Sequence, residues 1–134
     1  KDIIKIIMIN NFLIINCIGK DDKLGLRINK DFFVHNFKNT KNNNEKLVAE
    51  VLKLLNSHKV KLDKNFSVIV NQGPGSFSGI RVSLAVAKGL EISNKISLFG
   101  YKDKDLKSFD QENIEKLIEE NLIEKKLIKP SYLS

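Results

Sequence analysis

The sequence predicts a single α/β domain built around a mixed β-sheet. Its 134 residues suit one compact domain rather than two. The first 37 residues contain short β-rich segments separated by turn signals, which is typical of an antiparallel meander. The chain then alternates strand, helix and strand with short connections, and such a unit forms a right-handed parallel crossover. Antiparallel strands followed by a parallel crossover give a mixed sheet.

The meander is predicted from apolar runs and from the turn residues between them. The predicted strands cover residues 3–9, 12–18, 24–28 and 32–34. Asn10 and Asn11 separate the first two runs, and residues 19–22 are expected to form a turn. Residues 29–31 are a second turn or a bulge, so the last run either extends the sheet or re-enters it. We expect three antiparallel strands.

Helical periodicity accounts for most of the remaining chain. The predicted helices cover residues 45–58, 77–94 and 111–126, and two further strands cover residues 66–70 and 96–99. Serines near the start of the second helix can accept hydrogen bonds from its free amide groups. The third helix ends before Pro130. The expected organisation is a lobe over residues 1–100, with a linker, helix and tail over residues 101–134 packing on it.

The charge of the chain is strongly basic, at +7 from 23 basic and 16 acidic residues. A basic balance of this size is a first indication of nucleic-acid binding. However, 21 of the basic residues are Lys, and only Arg27 and Arg81 are Arg. Phosphate-binding surfaces favour the planar fork of arginine. Since Asn and Ile are also abundant, we interpret the charge mainly as the product of A/T-rich codons.

Cysteine and histidine usage argues against several classes of site. Cys17 is the single cysteine, so no intramolecular disulfide is possible. His35 and His58 lie too far apart for an HxxxH or HExxH metal pair. Asparagines interrupt the apolar N-terminal run, so we interpret it as buried strands rather than a signal peptide or membrane span. We expect a cytoplasmic protein without metal, cofactor or membrane partner.

The most specific segment covers residues 71–81, with the sequence NQGPGSFSGIR. A Walker phosphate loop is excluded, because no glycine followed by lysine lies five residues after Gly73 or Gly75. A nucleophile elbow is excluded because Phe77 occupies its serine position. A dinucleotide fingerprint fails by one residue, since Gly79 lies four residues after Gly75.

The helix after this segment carries small residues every four positions. Gly79, Ser83 and Ala87 therefore line one face, with Val86 and Leu90 beside them. A row of small side chains lets another helix approach closely. The neighbour of this face is either the chain's own sheet or first helix, or a second protein, and spacing leaves both open.

Together these residues resemble the signature of the TsaB (YeaZ) family. The matching positions are Gly73, Pro74, Gly75, Ser76, Phe77, Ser78, Gly79, Ile80 and Arg81, continued by Leu84, Ala85, Ala87, Lys88, Gly89 and Leu90. The sequence PSYL at residues 130–133 resembles the Pro-x-Tyr-Leu that closes many members. The resemblance implies a single lobe of the actin/Hsp70/sugar-kinase (ribonuclease H-like) fold, with a mixed five-stranded sheet and helices.

The chain also departs from the family pattern. Members usually have a second lobe of similar size, which is not evident after residue 100. Residues around Asn10 and Asn11 replace the Asp-Thr that often follows the first strand, and asparagines at residues 42–44 replace a common histidine. In this fold class, nucleotide binds between two lobes beside a carboxylate near the first strand. The resemblance therefore implies a shortened member that performs no chemistry itself.

The family makes the threonylcarbamoyl modification of the adenosine beside the tRNA anticodon. The resemblance implies a non-catalytic partner of the catalytic paralogue TsaD, with TsaE and ATP or ADP acting through TsaD and tRNA as the substrate of the complex. The implied partner interface comprises Gly79, Ser83, Val86, Ala87 and Leu90. The signature loop comprises Gly73, Pro74, Gly75, Ser76, Phe77, Ser78 and Arg81. The loop would shape the helix start or approach a nucleotide at the interface, and the helix face could also pair two copies in a homodimer.

Other functions remain open at this stage. The lysine content permits a stand-alone basic tRNA-binding module, and the loop before a helix permits a nucleotide-binding lobe. A hydrolase is disfavoured, because the sequence contains no metal-binding histidine pair and no recognisable nucleophile with its base.

Overall fold

A five-stranded sheet with helices on both faces forms the body of the protein. The structure is a computed structural model that describes residues 9–18, 21–39, 44–74 and 77–125. The elements in chain order are β1 (Phe12–Asn16), β2 (Asp21–Ile28), β3 (Asp31–Lys38), α1 (Asn44–Ser57), β4 (Ser67–Asn71), α2 (Phe77–Asn94), β5 (Ser97–Tyr101), a 3-10 turn (Asp103–Asp105) and α3 (Gln111–Glu119). For Phe77 only the backbone is described.

The strand order in the sheet is β3-β2-β1-β4-β5. β1 pairs with β2 and β2 with β3 in antiparallel fashion. β4 lies parallel to both β1 and β5. Phe12 at the start of β1 therefore faces Arg27 of β2 on one side and Ser67 of β4 on the other. The predicted mixed five-stranded sheet is confirmed.

The meander differs from the predicted boundaries at three places. β1 ends at Asn16, and β2 begins at Asp21, inside the segment expected to turn. Asn29 and Lys30 both have positive φ angles, of 52° and 75°, so the connection between β2 and β3 is a tight turn and not a bulge. β3 continues to Lys38. The predicted strand at residues 3–9 lies outside the described residues except for Ile9, which is buried.

The third helix is shorter than predicted. α3 ends at Glu119, and Asn121 adopts a left-handed conformation with φ 58°. The amide of Leu122 then donates to the carbonyl of Leu117, which closes the helix end. The following residues return to the sheet, where Gly100 and Glu124 form an antiparallel bridge along the free edge of β5. The predicted ending at residue 126 was wrong because apolar spacing continues past this turn.

The helices divide the core into two clusters. On one face of the sheet, Leu47, Val51 and Leu55 of α1 pack with the buried residues of α2. On the other face, α3 inserts Ile114, Leu117 and Ile118. The central strand β1 supplies apolar side chains to both clusters, since successive residues of a strand point to opposite faces. Strands covered on both faces explain the continuous apolar runs in the sequence.

Candidate partner-binding face

The glycine segment is fixed to the sheet by the buried side chain of Asn71 at the end of β4. Its Oδ1 accepts a hydrogen bond from the amide of Gly73 at 2.7 Å. Its Nδ2 donates to Oδ1 of Asn16 at 2.9 Å and to Oδ1 of Asp103 at 3.0 Å. The carbonyl of Gly73 accepts from the amide of Asp103 at 3.0 Å. The start of the segment is thus held by the carboxyl ends of three neighbouring strands.

The conformation of the segment requires a glycine at position 73. Gly73 is buried and has φ 90°, a region that residues with a Cβ rarely adopt. The peptide bond from Gly73 to Pro74 is cis. Gly75 and Ser76 of the predicted signature loop lie outside the described residues, and Ser78 and Arg81 are exposed on the first turns of α2. The described part of the loop therefore leads the chain from β4 into α2.

The predicted interface stripe lies mostly on the buried side of α2. Ser83 is 1% exposed and Ala87 is 0% exposed, and Gly79 is also buried. The Ser83 hydroxyl donates to the carbonyl of Ile80 at 3.0 Å within the helix. These three residues are covered by the chain itself, which is the first of the two alternatives that their spacing left open, and their part in a partner interface stays a prediction. Small residues at this side let α2 approach its neighbours α1, β4 and β5 closely.

A second row of small residues lies on the exposed side of the same helix. Ala85, Gly89 and Ser93 also recur every four positions, and all three are exposed. A Cβ added at Gly89 would meet no atom within 4 Å, so the surface there is open. Ile92, beside this row, is 79% exposed. The exposed row has the same spacing as the buried one, which is why spacing could not distinguish them.

An apolar groove of about 330 Å³ runs between α1 and α2. We call it the α1–α2 groove, and its principal lining residues are Val48, Leu52, Ala85, Val86, Gly89 and Leu90. Val48 and Leu52 of α1 are 38% and 42% exposed, which is high for large apolar side chains. Of the five predicted interface residues, Val86 and Leu90 line this groove.

Polar contacts on the opposite side of α1 hold that wall of the groove in place. Nε2 of His35 on β3 lies 2.6 Å from Oε1 of Glu50. Nζ of Lys46, one turn earlier on α1, lies 3.1 Å from Oε2 of the same carboxylate. The hydrogen bond with His35 is the main reason that the pKa of Glu50 is lowered from its ordinary value. Contact between the Phe33 and His58 rings, with centroids 4.1 Å apart and planes tilted by 31°, makes a second link between β3 and the end of α1.

The single thiol lies away from this groove, inside the core. Cys17 is buried after β1, and its pKa is raised by burial first and then by the nearby Asp22 carboxylate. A thiol with a raised pKa is a poor nucleophile at neutral pH. Over the described residues, no group of three or more His, Cys, Asp or Glu side chains could hold a metal ion. No helix in the same ranges is long and apolar enough to cross a bilayer.

Comparison with known proteins relates the chain to one group of tRNA-modification proteins. The family model for TsaD, tRNA N6-adenosine threonylcarbamoyltransferase, matches residues 38–102. The tRNA threonylcarbamoyladenosine biosynthesis protein TsaB of Buchnera aphidicola subsp. Schizaphis graminum (strain Sg) is 38% identical over 55 residues, covering 41% of this chain and 26% of that protein. The residues that the family model matches run from the end of β3 to just past the end of β5, and they include the glycine segment.

Solved structures show the same fold. YeaZ from Pseudomonas aeruginosa matches with a TM-score of 0.65 and 19% identity, covering 73% of this chain and 46% of that one. RuvC of Thermus thermophilus, solved with a Holliday junction substrate, matches with a TM-score of 0.51 and 12% identity, covering 72% of this chain and 67% of that one. The predicted ribonuclease H-like fold is confirmed.

The chain spans about a quarter of the length of the TsaB relative and just under half of the YeaZ structure. The sequence match to TsaB covers 41% of this chain, and the fold match to YeaZ covers 73% of it. Both proteins carry the name of the family whose signature residues 73–90 resemble. The chain is therefore similar in sequence to a TsaB protein over 55 residues, and it shares its fold with YeaZ.

Proposed function

We propose that the chain takes part in forming threonylcarbamoyladenosine in tRNA, as a non-catalytic subunit that binds TsaD. The sequence match to a TsaB protein supports the pathway. The α1–α2 groove supports the mode of action, because it offers an open apolar surface rather than a reactive centre. ATP and TsaE act on the complex through TsaD, and the proposed setting is the cytoplasm.

The shape of the α1–α2 groove fits a partner helix. Ala85 and Gly89 leave a shallow floor, and two α-helices can approach to about 8–10 Å where small residues meet. Val48 and Leu52 form one wall, and Ile92 lies exposed beyond the floor. Burial of these side chains would contribute about 25 cal/mol per Å² of apolar surface removed from water. An apolar helix face of TsaD is the occupant that we propose.

The chemistry of the described side chains supports a non-catalytic role. The residues that line the groove are aliphatic or small, apart from Asn44 at the start of α1. Cys17 is buried within the core, and burial also raises the pKa of the neighbouring Asp22 carboxyl. A nucleophile or a general acid would need contact with a substrate, which neither group has from inside the core.

The signature loop has a structural part in this proposal. Asn71 and Gly73 fix the path of the chain from β4 into α2, and α2 carries the floor of the groove. Arg81 lies on the first turns of α2, one turn before Ala85. We therefore assign the loop to orienting α2.

The proposal is tested by the threonylcarbamoyladenosine content of tRNA from a TsaB-depleted strain that expresses this chain with its own TsaD. We expect the wild-type chain and an Ala49→Arg control to restore the modification, because Ala49 is exposed but does not line the groove. Ala85→Arg places a charged side chain on the groove floor and is expected not to restore it. Full restoration by a folded Ala85→Arg variant would contradict the groove as the site of action.

A further inference from the structure

Five exposed lysines gather at the end of the sheet where β1, β4 and β5 begin. We call this surface the basic end, and its lysines are Lys30, Lys59, Lys61, Lys64 and Lys95. They come from the β2–β3 turn, from the connection between α1 and β4, and from the residue pair before β5. Lys59, Lys61 and Lys64 share one connection, and the fold brings Lys30 and Lys95 to the same end of the sheet.

Hydrogen bonds join the segments that carry these lysines. The amide of Asn29 donates to Oδ1 of Asn11 at 3.1 Å, and the carbonyl of Asn11 accepts from the amide of Ser67 at 3.2 Å. The amide of Ser97 donates to the carbonyl of Phe66 at 3.0 Å, and its hydroxyl to the carbonyl of Lys64 at 3.3 Å. The turn, the connection and the start of β5 therefore form one continuous surface.

A polar cleft of about 270 Å³ opens in the basic end. The residues that contribute its polar and charged groups are Asn11, Asn29, His58, Lys59, Lys61, Asp63 and Asn65. The carboxylate of Asp63 accepts a hydrogen bond from the amide of Asn65 at 2.8 Å within its own turn. Asp31 is the other acidic residue among these segments. The lysines outnumber the acids by five to two, so the surface has a positive potential.

Helix ends explain only part of this clustering. Lys59 and Lys95 follow the last turns of α1 and α2, with φ angles of 53° and 58°, where a cation is favoured by the negative end of the helix dipole. Lys30 lies in a β-turn, and Lys61 and Lys64 lie in the connection after α1. The helix dipole therefore does not account for the positions of the other three lysines.

The charges of the protein are also segregated. Residues 108–125, which form α3 and its flanks, contain six acidic residues and two lysines. α3 covers the face of the sheet opposite to α1 and α2. Codon bias raises the lysine content of the whole chain, but it does not separate acidic from basic surfaces. The separation of acidic and basic surfaces therefore points to a charged partner, which the net charge alone does not.

We propose that the basic end binds the phosphate backbone of RNA, and, resting on the proposed function, that it contacts the tRNA substrate of the complex. Lysines bind phosphates as point charges and release condensed counterions, which gives affinity without base recognition. The surface therefore positions an RNA and leaves the choice of nucleotide to other parts of the complex. None of the five lysines lines the α1–α2 groove, so RNA and TsaD can bind together.

The experiment measures binding of a labelled tRNA transcript to the full chain by fluorescence anisotropy between 50 and 200 mM salt. Lys59→Gln, Lys61→Gln and Lys64→Gln are combined in one variant. The matched control combines Lys102→Gln, Lys104→Gln and Lys107→Gln, which remove three exposed charges from the opposite end of the sheet. We expect the first variant to bind at least about tenfold more weakly at 50 mM salt, with a log–log salt slope reduced by about 2. The control is expected to change affinity less than threefold.

Equal weakening by the two triple variants would overturn the proposal, because it would show binding to the overall charge alone. Binding to poly-glutamate is compared with binding to tRNA at the same concentration of negative charge. Tighter binding to poly-glutamate would also overturn the proposal, because it would indicate an acidic protein partner. TsaD affinity is measured with the same variants and is expected to be unchanged. A basic-end variant that loses RNA binding and still binds TsaD would support the proposal. A wild-type chain that binds RNA but does not bind TsaD would contradict only the proposed function.

Discussion

Asn71 on β4 donates a hydrogen bond from Nδ2 to Oδ1 of Asn16 on β1, at 2.9 Å, and so joins the carboxyl ends of two parallel strands. The same side chain contacts Asp103 after β5 and the amide of Gly73. One buried amide therefore serves three neighbouring segments. The path of the glycine segment depends on this side chain as much as on its glycines.

Asn71→Ala is expected to lower the free energy of unfolding by about 2–4 kcal/mol, because it leaves the Gly73 amide and the Asn16 side chain without their partner. Urea denaturation at neutral pH measures the change. Asn65→Ala serves as the control, since Asn65 is exposed and takes part through its backbone amide, and it is expected to cost less than about 0.5 kcal/mol. Equal costs for the two variants would contradict the role of Asn71.

The contact between His35 and Glu50 predicts a dependence of stability on pH. The pKa of Glu50 is lowered in the folded protein, so its carboxylate stabilises the fold above its ordinary pKa and loses this effect as the pH falls through the folded value. Wild type is therefore expected to lose more stability than Glu50→Gln as the pH falls below the ordinary pKa of a glutamate. Denaturation curves at several pH values give the difference in free energy of unfolding between the two proteins. The other carboxylates are common to both proteins, so their contributions cancel in this difference. Parallel curves for the two proteins would refute this contribution.

The difference in burial between Ala85 and Ala87 on α2 predicts different effects on stability when each is replaced by leucine. Ala87→Leu adds volume to the core and is expected to lower the free energy of unfolding by about 1–3 kcal/mol. Ala85→Leu adds the same volume to an exposed position and is expected to change it by less than about 0.5 kcal/mol. Thermal denaturation compares the two. A destabilised Ala85→Leu with an unaffected Ala87→Leu would reverse the assignment of the two helix faces.

Most of the fold could be predicted from local patterns. Turn residues and alternating apolar residues predict the meander, and the short strand–helix–strand unit predicts the parallel strands β4 and β5. The end of α3 could not be predicted, because Leu122 and Ile123 continue the apolar spacing beyond the turn at Asn121. β3 was predicted too short, because His35 and Asn36 interrupt the apolar pattern. In the structure His35 stays in the strand and contacts Glu50 of α1.

The spacing of small residues could not predict which face of α2 is buried. Two rows of small residues, one through Ser83 and one through Ala85, have the same period. Only the positions of α1 and the sheet decide which row is covered, and these are tertiary contacts. One signal was present in the sequence: α2 carries apolar residues nearly all round, which is typical of a helix covered on more than one side.

The role of Asn71 and the basic end also required the structure. The sequence places Asn16, Asn71 and Asp103 far apart, and parallel strands bring them together at one edge. Likewise, the total charge of the chain gives no information about its distribution. The lysines that form the basic end come from three separate connections, and only the strand order brings those connections together.

Titration calorimetry of TsaD with the Ala85→Arg and Ala49→Arg variants tests most directly whether TsaD binds the α1–α2 groove. We predict that Ala49→Arg binds like wild type and that Ala85→Arg binds at least about tenfold more weakly, because a buried charge without a partner is costly at an apolar interface. Circular dichroism establishes that both variants are folded. Wild-type affinity for a folded Ala85→Arg variant, or no binding of TsaD by the wild-type chain, would contradict the account.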